Sequence, residues 1–137
     1  MKIKTDFVTN SSSTCFVVMV KGDFTLGKFL EAAGVDENSP FIEMFKQIFE
    51  LFKEDLRPAR EFAESHRWTQ GKSFEQFIED VFSKNTMKRV KDAENAGMTV
   101  YMGELYSDNG ELECFLCTDC FVIDSPELVI DATNDGW

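Results

Sequence analysis

The sequence predicts an α+β fold: an N-terminal strand, central Phe-rich helices, and a C-terminal antiparallel hairpin with further strands. All strands join one sheet, with the helices packed on one face. Three observations predict it. A β-branched and aromatic run fills residues 15–20, helical periodicity dominates 39–97, and strand patterning with a hairpin signal follows Gly97. The order strand, helices, strands is the α+β pattern, in contrast to the regular alternation of α/β chains. The 137 residues make one ordinary domain, 1–137, with no internal repeat and no linker long enough to divide it. A chain of this size buries about two-thirds of its unfolded surface and needs neither metal nor disulfide to hold a core.

Each element has its own local signature. Residues 3–8 alternate apolar and polar, and Thr9, Asn10, Ser11, Ser12, Ser13 and Thr14 then make a loop. The run 15–20 reads as a buried strand closed by Gly22. Thr25 opens a short helix carrying Leu26, Phe29 and Leu30, and Gly34 ends it. Ser39-Pro40 is a helix start, with Ser as N-cap and Pro in the first helical position. Phe41, Phe45, Ile48, Phe49, Phe52 and Leu56 recur at helical spacing behind it, and Pro58 breaks the helix. A second piece follows over 59–68. Ser73 and Gln76 form a capping box for the next helix, whose Phe74, Phe77, Ile78, Val81 and Phe82 share one face. Asn85-Thr86 interrupts it before a helix over 87–96, stopped by Gly97. Residues 99–106 are a strand, and Asn109-Gly110 signals a hairpin whose partner strand starts at Glu111. The runs 120–123 and 128–130 are two further strands or one bent at Ser125-Pro126.

The opening Met1-Lys2-Ile3-Lys4-Thr5-Asp6-Phe7-Val8-Thr9-Asn10-Ser11-Ser12-Ser13-Thr14-Cys15-Phe16 resembles a start shared by uncharacterised small bacterial and phage proteins. Those read M-K-I-[RK]-x-x-F-V-[ST]-N-S-S-S and then enter an apolar strand. Thr14-Cys15 departs from the serines usual there. The resemblance implies a bacterial or phage origin and no activity. Physically, the serine run is a turn whose hydroxyls satisfy the backbone, or else a nest for an anion. No Lys or Arg between Lys4 and Lys21 would neutralise that anion.

Charge is the strongest signal, read either as a solvated, solubilising acidic face or as an acidic docking surface. The 25 acids and 14 bases leave a net charge of −11, which repels nucleic acids and anionic membranes. Residues 1–91 hold 14 acids and all 14 bases, so the whole excess falls in 92–137. The longest apolar run, 15–20, is too short to span a bilayer or to serve as a signal-peptide core. A cytoplasmic location is therefore expected, where the four cysteines are thiols or ligands.

Few constellations could carry chemistry. Cys114-x-x-Cys117-x-x-Cys120, with Cys15 as a fourth thiolate, has the donors for zinc or an iron–sulfur cluster. The apolar residues around them favour buried thiols acting as small hydrophobes instead. Asp131-x-Thr133-x-Asp135-Gly136 imitates the opening of a calcium loop, but no position-12 glutamate follows, so an acidic terminal turn is expected. His66 is the single histidine and stands among charged neighbours. Lys84, Lys88, Arg89 and Lys91 cluster at a helix end. An enzyme would need a cleft of perturbed carboxylates that sequence cannot display.

The expected function is that of a non-enzymatic interaction protein whose acidic C-terminal surface docks on a basic protein partner. Glu104, Asp108, Glu111, Glu113, Asp119, Asp124, Glu127, Asp131 and Asp135 would make that surface. In its sharpest form this is an inhibitor presenting DNA-like charge. The alternative is a metal-binding protein built on Cys15, Cys114, Cys117 and Cys120. No cofactor, direct nucleic-acid contact or membrane contact is expected for the main reading.

Overall fold

The run that opens the sheet carries apolar side chains at consecutive positions, and in a strand consecutive side chains point to opposite faces. Ser13–Val20 forms strand β1, buried from Thr14 to Val20, so both of its faces need cover. The structure, a computed structural model, describes residues 13–54, 56–65, 71–106, 109–117 and 121–133. The stretch 3–8, residues 9–12 of the hydroxyl loop, His66, Trp68, Asp108, Asp119, Cys120, Asp135, Gly136 and Trp137 lie outside them.

Six helices and a five-stranded sheet make up the described chain. In chain order, β1 is followed by helices Leu26–Ala33 (α1) and Ile42–Glu54 (α2), then by the two-residue strand Arg57–Pro58 (β2). Helices Ala59–Ser65 (α3), Phe74–Val81 (α4) and Lys84–Asn95 (α5) come next. Strand Thr99–Tyr106 (β3), helix Glu111–Leu116 (α6) and strands Val122–Asp124 (β4) and Leu128–Asp131 (β5) complete it. The strand order is β2-β3-β1-β5-β4, and every pairing is antiparallel.

The α+β class is as the sequence predicts, but the helices cover both faces of the sheet rather than one. Cys15, Val17 and Met19 face α3, α4 and α5, packing with Phe62, Phe77, Ile78 and Val90. Phe16, Val18 and Val20 face α1, α2 and α6, packing with Phe29, Ile48, Phe49 and Phe52. The second core is built of aromatic edges and tilts: Phe16 meets Phe52 at 4.8 Å between centroids, and Phe24 meets Phe49 at 4.9 Å. The chain passes from one layer to the other through Arg57–Pro58, where Pro58 ends helical geometry and sits on the sheet edge.

Most local signatures hold. Thr25 caps α1 and Gly34 terminates it; Ser73 Oγ accepts the Gln76 amide and opens α4. Phe41 lies in the turn before α2, where its amide donates to Ser39 Oγ, so the helix proper starts at Ile42. The break between α4 and α5 falls at Phe82-Ser83 rather than at Asn85-Thr86, because Ser83 Oγ accepts the Thr86 amide and caps α5.

The hairpin expected at Asn109-Gly110 does not form: residues 111–116, read as a strand, are helix α6. Gly110 takes φ 149 and ψ 168, an extended geometry open to glycine, instead of the left-handed one of a tight hairpin turn. Glu113 then accepts the Tyr106 amide at 2.6 Å and the Asn109 side-chain amide at 3.3 Å, tying α6 to the end of β3. The antiparallel hairpin at the C-terminal end is β4–β5, with Ser125-Pro126 at its turn and Ser125 Oγ accepting the Leu128 amide.

Candidate functional site

The acids of the last third do not form one surface. Glu111 on α6, Asp124 on β4 and Glu127 in the β4–β5 turn are exposed, and Glu104 on β3 is half-buried. Glu113 and Asp131 are buried, and Asp108, Asp119 and Asp135 lie outside the described residues. Asp131 and Glu113 are therefore withdrawn from the expected docking face. A buried carboxylate survives only where donors replace its water, and both have them.

Asp131 is the fuller case. It sits at the end of β5 opposite Val17, on the sheet face covered by α5. Its Oδ2 accepts from the Thr86 hydroxyl at 2.9 Å and from the Arg89 guanidinium at 2.7 Å. Its Oδ1 accepts from the Thr133 amide and hydroxyl, a local turn that closes the carboxylate from the other side. Four donors saturate it, so Asp131 is a buried lock between α5 and β5 and offers no open carboxylate to a ligand. Asp135 and Gly136 of the expected acidic turn lie outside the described residues. Among the described residues, every buried side-chain nitrogen or oxygen has a partner.

Among the described residues the structure does not bring Cys15 to Cys114 and Cys117, and Cys120 lies outside them. Cys15 points into the core under α3–α5, whereas Cys117 packs in the core on the opposite face of the sheet. Cys114 is half-buried on α6. Among the described residues no group of three His, Cys, Asp or Glu side chains is placed to hold a metal ion. Burial, with Glu104 directly across the strand pair, pushes the Cys15 thiol far above its ordinary range, which disfavours the thiolate a metal needs.

Charge divides instead between the two helical layers. Over α3–α5, bases and acids are matched: Arg60 with Glu94, Lys72 with Asp80, Lys91 with Glu75, and Arg89 with Asp131. The hydrogen bond to Glu94 raises the Arg60 value, and the Asp80 carboxyl is held down by hydrogen bonds from Lys72 and then Gln76. The other layer and its loops expose Asp23, Glu31, Asp36, Glu37, Glu43, Glu50, Glu54 and Glu111. Lys21, Lys46 and Lys53 are exposed with them. Lys28 is occupied, its ammonium donating to the carbonyl oxygens of Lys21 and of Asp23, around which the 21–23 loop wraps.

On α2 this excess is ordered. At about 100° per residue, Glu43, Glu50 and Glu54 fall on the side opposite Phe45, Ile48, Phe49 and Phe52, which enter the core. Beside that ridge Met44 is exposed to 40% and Phe41, in the turn before the helix, to 60%. Half-buried Leu51 packs against the core, and Lys46 pairs with Glu43 at 3.1 Å. Sequence reading missed this ridge because it weighed charge by position along the chain. Helical spacing within 41–54 carried the signal.

Among the described residues no helix is long and apolar enough to cross a membrane. No family model, no curated protein and no solved structure matches the chain.

Proposed function

We propose that this is a binding protein without catalytic chemistry, which docks a basic protein partner on the acidic layer formed by α1, α2, α6 and their loops. The observation that carries this reading is the asymmetry of charge across the sheet. The α3–α5 layer carries the ion pairs Arg60–Glu94, Lys72–Asp80 and Lys91–Glu75 and balances acids with bases. On the other layer exposed acids outnumber exposed bases, with Lys46–Glu43 an ion pair inside α2. A one-sided potential of this kind steers oppositely charged partners and repels nucleic acid. Glu111 and Glu127 from the C-terminal third contribute to that layer, and Asp124 lies at the β4 edge. The sharper form, an inhibitor displaying DNA-like charge, is the version in which duplex DNA would compete with the protein for its target.

The test is capture from a bacterial lysate, chosen for the resemblance of the opening residues, at low and high salt. Wild type is compared with a variant carrying Glu31→Gln, Glu43→Gln, Glu50→Gln and Glu54→Gln, and with a control carrying Glu61→Gln and Glu64→Gln on α3. A partner held by wild type and control, lost from the first variant and released by salt, is the expected result. Capture that ignores both salt and the α1–α2 substitutions would remove the acidic layer as the working surface.

A further inference from the structure

Cys114 and Cys117 are both thiols on one helical turn, the first inside α6 and the second its C-cap. Residues three apart on a helix share a face, with Cβ atoms about 5–6 Å apart, a little beyond the roughly 3.5–4.5 Å that a disulfide spans. This turn is tighter than an ordinary one. The Cys117 amide donates to the carbonyl oxygens of Glu113 and Cys114, both at 3.1 Å. The second is a 3₁₀ bond, the geometry in which side chains at i and i+3 eclipse. Because α6 ends at Cys117, a small backbone adjustment there disturbs no later turn of the helix.

The two thiols differ in access. Cys117 is 2% exposed in the core that α1 and α2 cover, whereas Cys114 is half-buried. Cys15 lies on the opposite face of the sheet and reaches neither. A reagent from solvent therefore meets Cys114 first, with Cys117 behind it. Thiol–disulfide exchange uses such an arrangement: one accessible sulfur attacks, and a second held close displaces the mixed disulfide.

We propose that Cys114 and Cys117 are a reversible dithiol–disulfide site, oxidised by exchange with a small-molecule disulfide. The Cys114 sulfur, as thiolate, attacks one sulfur of that disulfide, whose S–S bond breaks and releases one half. The Cys117 sulfur then loses its proton, attacks Cys114 Sγ and expels the second half. The two protein thiols give up two electrons and two protons, and the small disulfide becomes two thiols.

The experiment uses the full chain with Cys120→Ser, so that Cys120 cannot serve as a partner, across a series of hydroxyethyl disulfide to mercaptoethanol ratios. Bonds are located by alkylation, digestion and mass spectrometry. The folded protein is expected to form the Cys114–Cys117 disulfide and to lose it in excess mercaptoethanol. It should favour that bond about tenfold more than the same chain unfolded in urea. In the same background Cys117→Ala should stop at the mixed disulfide on Cys114, and Cys114→Ala should take up no reagent. A mixed disulfide that persists on Cys114 with Cys117 present would overturn the inference. So would a preference no greater in the folded protein than in urea, since the turn would then contribute nothing. Uptake of reagent by Cys117 in Cys114→Ala would contradict the order of attack and overturn it as well.

Discussion

Asp131 shows how little a residue's type says about its job. Its neighbours in sequence suggest a solvated acidic turn, yet its carboxylate is wholly buried and saturated by Thr86, Arg89 and Thr133. Asp131→Ala leaves those donors unpaired, and the half-exposed Arg89 only partly regains water. We expect a loss of about 3 kcal/mol in urea unfolding, against about 1 kcal/mol for Thr133→Val. Cys15 gives a pH-dependent counterpart. Burial and then Glu104 raise its folded-state value, so the thiol stays protonated when the unfolded chain's has ionised. Its stabilising contribution is complete below the ordinary thiol range and is lost as pH rises beyond it. Cys15→Ala should therefore lose less stability than wild type between about pH 8 and about pH 10. Alkylation of the native protein, read by mass spectrometry, should label half-buried Cys114 and spare Cys15; rapid labelling of Cys15 would contradict its placement.

Between elements, the β1–β3 pair is where packing is least forgiving. Gly103 lies opposite Phe16, and a Cβ placed there would stand 2.6 Å from the Phe16 ring. That ring is buried and held edge-on by Phe52, so it has no space into which to retreat. Gly103→Ala is expected to destabilise by roughly 1–3 kcal/mol in equilibrium unfolding, and the double variant Gly103→Ala/Phe16→Leu should recover part of it. Wild-type stability in Gly103→Ala would show that the ring is not confined. Much at this scale was legible in sequence. Gly97 and the aromatic stretch behind it bracketed β3, and Thr25, Ser73 and Gly34 marked helix ends through their capping chemistry. Asn109-Gly110 misled, since a turn dipeptide fixes neither the type of the next element nor the glycine conformation that the junction demands.

For the molecule as a whole, the decisive quantity is a net charge of −11, with exposed acids in excess on the α1–α2 layer among the described residues. Unmatched carboxylates repel one another in the folded state and relax when the chain opens. Raising ionic strength from about 0.01 M to about 0.15 M shortens screening from about 30 Å to about 8 Å. The midpoint of thermal unfolding should rise by a few degrees over that range, and the Glu31→Gln/Glu43→Gln/Glu50→Gln/Glu54→Gln variant should show a smaller rise. An unchanged midpoint in wild type would mean that the exposed carboxylates are too far apart to interact. The proposed surface was legible only in part: sequence reading took acidity as the feature to follow and assigned it to the C-terminal third. Folding sets an excess of exposed acids on the α1–α2 layer, because charge acts through distance in space and more of the bases lie on the α3–α5 layer.

Sequence by itself determined the α+β class, the buried strand, most helix ends and the total charge. Those arise from interactions within a few residues of one another, or from composition, and so survive without knowledge of the fold. Tertiary structure alone decided the order β2-β3-β1-β5-β4, the second helical layer, the burial of Asp131 and the separation of Cys15 from Cys117. These depend on partners far away along the chain; Arg89 and Thr86 stand 42 and 45 residues from the carboxylate they satisfy. No local pattern reports such a partner, since strand order and burial are chosen by the free energy of the whole packed chain.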